Sequence, residues 1–296
     1  MATPDRFVIS ASRRTDIPAF YLPWFMSQLK ARSFRVINPY NHRVRQVNAD
    51  ADSVHSLVFW SKNFGPFLSG GYDRKLTDAG YNLFFNFTIN TDNPILEPHV
   101  PPLADRLKQL AELARRVGPQ CIQWRFDPVC FYTDADGRAR TTADGFSQIA
   151  RHAGTVGIER CITSFMDHYP KIEKRTTSMA PFGFQEGLLP HKIEILQRFA
   201  EVLGGYRMRL YTCCEKEIQD ALGEGHGIRP SACIPNDLLM RLFGGSISLK
   251  KDRGQRISQG CGCMASVDIG SYTLHPCYHN CLFCYANPSP PPGRRP

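Results

Sequence analysis

The chain has 296 residues, 42% of them hydrophobic, with a formal charge of +9 and a pI of about 9.1. That is enough apolar material to bury a core in one large α/β domain or two smaller ones. It excludes a transmembrane helix, because no window approaches roughly eighteen uninterrupted apolar residues. The N-terminal MATPDRFVISASRRTD has no basic region leading into an apolar run, so no signal peptide is expected there. Eleven cysteines without an export signal point to metal or redox use in a reducing cytoplasm rather than to disulfides. Basic residues come in scattered pairs such as Arg13–Arg14, Arg115–Arg116 and Lys250–Lys251. Such pairs suit a polyanionic partner such as nucleic acid, or simply a solvated surface.

Along the chain, apolar runs alternate with amphipathic segments, the pattern of βα units. FVISAS (Phe7–Ser12) reads as a strand. Thr15 or Asp16 can cap the helix that follows, Pro18 suits its first turn, and Pro23 disturbs it early. Phe34–Tyr40 and Val44–Asn48 read as a strand and a short hairpin. Ser56–Asn63, Asn82–Asn90 and Cys121–Val129 are apolar runs of the kind found in strands buried on both faces. Leu103, Leu107, Leu110 and Ala114 recur at helical spacing, and Gly118 stops that helix. Thr133–Gly145 reads as a hairpin tip, since its DADG lacks the remaining ligands of a calcium loop. A helix around Phe146–Ala153, a strand at Arg160–Phe165, a helix at His191–Gly205 and a strand at Tyr206–Cys214 follow. Ala265–Tyr272 is the last strand candidate, and the Pro-rich tail is expected to be disordered. About eight strands result, a count that predicts a (β/α)8-like or partial TIM barrel. The expected divisions are a barrel core over 1–212, a cysteine-containing segment over 213–264, the last strand and its loop over 265–287, and a tail over 288–296.

The segments just past the strands are rich in functional side chains. Ser12, Arg13, Arg14 and Asp16 follow the first; Lys62 and Asn63, Arg125 and Asp127, and Ser164 follow later ones. Ligands of βα barrels sit at this C-terminal face. Each residue taken singly reads equally well as a helix cap or a structural ion pair.

Two cysteine groups stand out. Cys261 and Cys263 form a CxC pair flanked by glycines, and with Cys214 and Cys233 they make four soft ligands for an auxiliary iron–sulfur cluster or zinc, Cys213 being the spare. Cys121, Cys130 and Cys161 lie in or beside apolar strands and read as small buried hydrophobes. The other is the terminal loop HPCYHNCLFCYAN, with Cys277, Cys281 and Cys284 at CxxxCxxC spacing. Iron–sulfur clusters normally take four cysteines, so three leave one iron open to a small molecule. A structural zinc knuckle completed by His275 or His279 is the alternative use of the same thiols.

With the aromatic Phe283 before its last cysteine, this CxxxCxΦC loop resembles the cluster motif of the radical S-adenosylmethionine (SAM) superfamily, displaced to the C-terminus. More narrowly, SASRRTDIPAF, VFWSKN, WRFDP, KKDRGQR, CGC and DIG, in order before CxxxCxxCYAN, resemble an uncharacterised bacterial family known only as a domain of unknown function. The resemblance implies a barrel with permuted strand order, in which Ala265–Tyr272 precedes Phe7–Ser12. It implies a 4Fe–4S cluster on Cys277, Cys281 and Cys284, SAM as cofactor, and a low-potential electron donor such as flavodoxin or ferredoxin. Arg13, Arg14, Asp16, Lys62, Arg125 and Asp127 are then the catalytic candidates. Phe283, Ser12, Asn63 and Ser164 are the cofactor-binding ones. The superfamily's Gly-Gly-Glu motif for the SAM amino group is missing from Ser12–Asp16. Lesion repair in the style of spore photoproduct lyase, and a non-catalytic metal-stabilised binding module, are the competing expectations.

Overall fold

Apolar runs that cannot be solvated on either face assemble into a parallel sheet. The computed structural model describes residues 6–38, 41–223 and 225–286, so the expected tail over 288–296 lies outside the described residues. The sheet has eight strands: β1 (Phe7–Ala11), β2 (Val54–Ser61), β3 (Asn82–Thr88), β4 (Ile122–Val129), β5 (Arg160–Phe165), β6 (Arg209–Thr212), β7 (Arg229–Pro230) and β8 (Val267–Asp268). In space they run β7-β6-β5-β4-β3-β2-β1-β8, all parallel. The last strand therefore lies beside the first, Ile9 opposite Val267 and Ser10 opposite Asp268, as the permuted order requires. Of the expected (β/α)8-like or partial barrel, the α/β class and the eight parallel strands form, but the sheet is not a closed barrel. Among the described residues β7 and β8 are the two ends of an open sheet, each a two-residue strand too short to close it.

Strand alternation sends the two sets of side chains to different cores. Ile9, Phe59, Phe85, Trp124 and Phe126 pack against helices over Leu103–Val117, Phe146–Thr155 and Leu189–Gly204. Phe146 stacks on Phe199 there with ring centroids 3.6 Å apart. On the other face Val8, Val58 and Phe84 meet Ile234, Leu239 and Ile247, which come from and around the helix Asn236–Phe243. Further along the same face come Trp60, Ile162 and Tyr211, packed with the cysteines of the 213–263 segment.

The early proline acts as expected: the first helical region splits at Tyr21 into Ile17–Phe20 and Leu22–Lys30, each with a proline in its first turn. Ser33–Ile37 and Val44–Asn48 pair as an antiparallel hairpin outside the main sheet. Phe131–Thr133 and Ala139–Thr141 form the second hairpin, extended by Gly183–Gln185. Gly118, at φ +85°, ends the Leu103–Val117 helix.

Candidate functional site

The terminal cysteine loop leaves β8 at the C-terminal edge of the sheet and is tied down from several directions. Asp268 starts the tie: its carboxylate accepts from Ser10 Oγ (3.0 Å), Ser12 Oγ (2.6 Å), and the amides of Arg13 (2.7 Å) and Gly270 (3.0 Å). Position 270 must be glycine for this approach, because a Cβ there would lie 2.0 Å from Ser12 Oγ. Tyr21 Oη donates to the Pro276 carbonyl at 2.6 Å. The Leu282 amide donates to the Leu96 carbonyl at 2.9 Å. The Arg175 guanidinium reaches the carbonyls of Cys281, Leu282 and Cys284.

Asp16 is the central tie. Its carboxylate accepts from the Ala19 amide (2.9 Å), capping the first helix, from Ser61 Oγ (2.7 and 2.9 Å), from the Lys62 amide (2.9 Å) and from His279 Nε2 (2.8 Å). These bonds join the ends of β1 and β2 to the cysteine loop. His279 Nδ1 faces the His99 carbonyl at 3.3 Å, so each ring nitrogen already has an oxygen partner. That commitment removes His279 as a fourth ligand in a zinc knuckle. His275 packs instead on Trp24, ring centroids 4.1 Å apart, and burial pushes its pKa down to about 4.

The thiols of the loop lie in a low-dielectric setting. Cys281 is buried together with Leu282 and Phe283 against Leu96, Met166 and Phe182. Burial pushes the Cys277 and Cys281 thiols up, while Lys62 acts in the opposite sense on both. Ligation of a metal by such thiols must therefore release protons. Lys62 Nζ lies 5.4 Å from the Phe283 ring centre and pairs with Glu97 at 2.5 Å. Glu97 in turn faces Arg106, which pairs with Asp92 at 2.7 Å. For Lys62, burial works downward, but Glu97 and then Cys281 outweigh it and hold its pKa above the ordinary value.

The remaining expected residues divide. Arg13 faces Asp252 at 3.4 Å and lies 5.7 Å from the Trp60 ring centre. Arg14 donates to the Gly270 carbonyl at 3.1 Å and lies 3.9 Å from Asp268. Arg125 pairs with Asp127 at 2.5 Å and lies 5.1 Å from the same Trp60 ring, on which it and Arg13 converge. Ser164 Oγ donates to Asp127. These residues, with Ser12, stand together at the strand ends. Asn63 does not face them through its carbonyl: Asn63 Oδ1 accepts from the Gly65 amide and from Gln109, both at 3.0 Å, and so serves the following helix. The Phe283 ring is packed inward rather than presented at an open surface. Several buried polar atoms in this region have no partner, among them Thr15 Oγ1, Trp60 Nε1 and Arg13 Nε. Thr15, Glu97, Arg106, Asp268 and Arg175 escape a reading of the sequence, although Asp268 sits in the DIG motif and could have been found there.

The second cysteine group also comes together. Cys213 Sγ lies 3.9 Å from Cys214 Sγ and 3.8 Å from Cys233 Sγ, so the supposed spare sits inside the group. Cys261 and Cys263 are buried together with Cys233, and Cys213 and Cys214 pack against them. Arg125 Nη1 donates to Cys233 Sγ at 2.5 Å. Among the described residues no three His, Cys, Asp or Glu side chains converge as a ready-made site for a single metal ion.

Among solved structures, the chain is similar to one from Bacteroides thetaiotaomicron VPI-5482 described as that of a candidate alpha-L-fucosidase. Identity is 10% and the TM-score 0.29, over 68% of this chain and 88% of that one. A likeness that slight bears on neither fold nor function. No curated protein matches the chain. The family model described as Domain of unknown function (DUF1848) matches residues 8–286. That span takes in both cysteine groups and every strand end described above except the start of β1, and the chain belongs to this family.

Proposed function

We propose that this protein is a radical SAM enzyme, with Cys277, Cys281 and Cys284 holding three irons of a 4Fe–4S cluster and the fourth left for SAM. The single observation that carries the reading is the tethering of the CxxxCxxC loop at the C-terminal ends of a parallel sheet, its cysteines flanked by Lys62 and a bonded Asp16–His279 pair. The donor set fits: three thiolates bind soft metal, and three in one short loop suit a cluster, whose thiolates sit on different irons and need not converge on a point. Held by these cysteines and reduced, such a cluster would supply the one electron that splits SAM into methionine and a 5′-deoxyadenosyl radical able to abstract hydrogen from a substrate.

The protein's own residues hold and shield this chemistry. Arg175 and Asp16 fix the loop. The cluster of Leu96, Met166, Phe182 and Phe283 keeps water from the thiols. In the Ser12–Asp16 loop the carboxylate of Asp16 is fully used by protein donors, which leaves the unpartnered Thr15 hydroxyl, with the Trp60 indole N–H, to meet polar groups of SAM. A small substrate suits the mouth better than nucleic acid. Arg13, Arg14 and Arg125 already face Asp252, Asp268 and Asp127, so they are not bare cations awaiting phosphate.

Anaerobic reconstitution with ferrous iron and sulfide, followed by dithionite and SAM, tests this. The expected result is 5′-deoxyadenosine and methionine, both lost in the variant Cys277→Ala/Cys281→Ala/Cys284→Ala. One tightly held zinc and no SAM cleavage by the intact protein would overturn the assignment.

A further inference from the structure

Five thiols outside the terminal loop form one ring of neighbours: Cys213 Sγ lies 3.9 Å from Cys214 Sγ and 3.8 Å from Cys233 Sγ, and Cys261 and Cys263 are buried together with Cys233. We infer that this ring is a second, polynuclear metal site that takes an iron–sulfur cluster.

The local structure is built for it. Consecutive strand residues point to opposite faces, so Cys213 and Cys214 at the end of β6 should diverge. They do not, because Cys214 adopts a left-handed backbone at φ +62°, which turns both thiols into the same group. A non-glycine residue held in that region costs roughly 1–3 kcal/mol and persists only where the surroundings demand it. The CxC pair arrives by a similarly tight route. Gly262 donates its amide to the Ser231 carbonyl at 3.2 Å, and a Cβ at position 262 would lie 2.4 Å from that oxygen. Only glycine between Cys261 and Cys263 lets the two chains approach this closely. Asn86, buried on the sheet's inner face, donates to the Cys233 carbonyl at 3.0 Å and fixes the third approach.

The number and layout of the donors choose the metal class. A tetrahedral zinc ion takes four thiolates at about 2.3 Å, which places every pair about 3.8 Å apart. The pairs Cys213–Cys214 and Cys213–Cys233, at 3.9 and 3.8 Å, already have the spacing zinc requires, but the group holds five thiols, one more than a zinc ion takes. A cluster presents several irons and spreads its thiolates over them. Charge agrees with this. Arg125 donates an N–H to Cys233 Sγ. Hydrogen bonds to sulfur are among the means by which proteins set cluster potentials. Between the two cysteine groups, the Arg13 carbonyl accepts from Tyr285 Oη of the terminal loop at 3.3 Å.

The inference is independent of the terminal-loop assignment, and iron and sulfide counts with Mössbauer spectra separate the two. After anaerobic reconstitution with ferrous iron and sulfide, the intact protein should hold about eight irons, and the variant Cys277→Ala/Cys281→Ala/Cys284→Ala about four. The complementary variant Cys233→Ser/Cys261→Ser/Cys263→Ser leaves too few thiols in the ring and should fall from about eight irons to about four. An iron-free terminal-loop variant, or one holding a single zinc, overturns the second site. Should that variant be recovered only unfolded, the ring variant decides: iron content equal to that of the intact protein overturns the proposal. If the intact protein binds only about four irons, and the terminal-loop variant keeps them all, the second site stands and the terminal-loop assignment fails.

Discussion

Asp16→Ala should be among the most damaging single changes outside the apolar core. Its carboxylate satisfies donors from four residues: Ala19, Ser61, Lys62 and His279. Loss of the helix cap costs about 1 kcal/mol. A buried donor left without a partner costs about 1–3 kcal/mol. Ser61 Oγ can rotate toward another acceptor, so we count only the Lys62 amide and His279, at about 1.5 kcal/mol each. The sum is about 4 kcal/mol, a large fraction of the 5–15 kcal/mol of a typical domain. Asp16→Asn keeps one acceptor oxygen, which can serve the Lys62 amide and His279 together but then turns an N–H toward the Ala19 amide of the cap. It should cost about 2 kcal/mol, roughly the value of one hydrogen bond to a charged group. Urea unfolding of the metal-free protein measures both through the transition midpoint, provided the slope is unchanged. A double-mutant cycle with His279→Ala should return a coupling of about 1–3 kcal/mol. If Asp16→Ala unfolds within about 1 kcal/mol of the parent, the carboxylate is not the tie described here.

Three further outcomes follow from particular contacts. Gly270→Ala must displace Ser12, whose Oγ would be 2.0 Å from the new Cβ, and should lose about 1–3 kcal/mol in the same urea assay. Arg175→Ala strips a guanidinium from the carbonyls of Cys281, Leu282 and Cys284; alkylation of those cysteines in the metal-free protein should quicken about tenfold or more, since a charged hydrogen bond of about 1.5–3 kcal/mol is removed. Phe85→Ala empties a site ringed by Phe59, Phe64 and Phe67 and should cost about 3–5 kcal/mol by thermal or urea unfolding, with no change in iron content after reconstitution.

The strands that carry long apolar runs are legible in the sequence because both of their faces are buried. Phe7–Ala11, Val54–Ser61, Asn82–Thr88 and Arg160–Phe165 form where alternation and β-branching place them. Of the two strands that end the sheet, Val267–Asp268 falls within the expected Ala265–Tyr272, but Arg229–Pro230 is not legible in the same way. Arg229–Pro230 is held by main-chain pairing to Tyr211 and Thr212, and its exposed side chains carry no periodic signal. A count of about eight strands therefore leads to a (β/α)8-like or partial barrel, while the sheet that forms is open, with two-residue strands at its ends.

The site shows the same division between what side chains announce and what the backbone decides. Thiol spacing marks Cys277, Cys281 and Cys284 directly, because a loop short enough to be regular in sequence is compact in space. The second group is spread over residues 213 to 263, and its assembly depends on three backbone facts that spacing does not encode. These are the left-handed Cys214, the close approach of Gly262 to Ser231, and the reach of Asn86 to Cys233. Strand alternation alone argues for leaving one of Cys213 and Cys214 out, and that inference fails where the chain leaves the β region. The polar ring misleads in the other direction. Asp16 looks like a reacting carboxylate in the sequence, but its environment supplies a donor for each direction in which it can accept. Among the buried polar atoms still lacking a partner, the Thr15 hydroxyl, one residue away from Asp16, is the nearest along the chain.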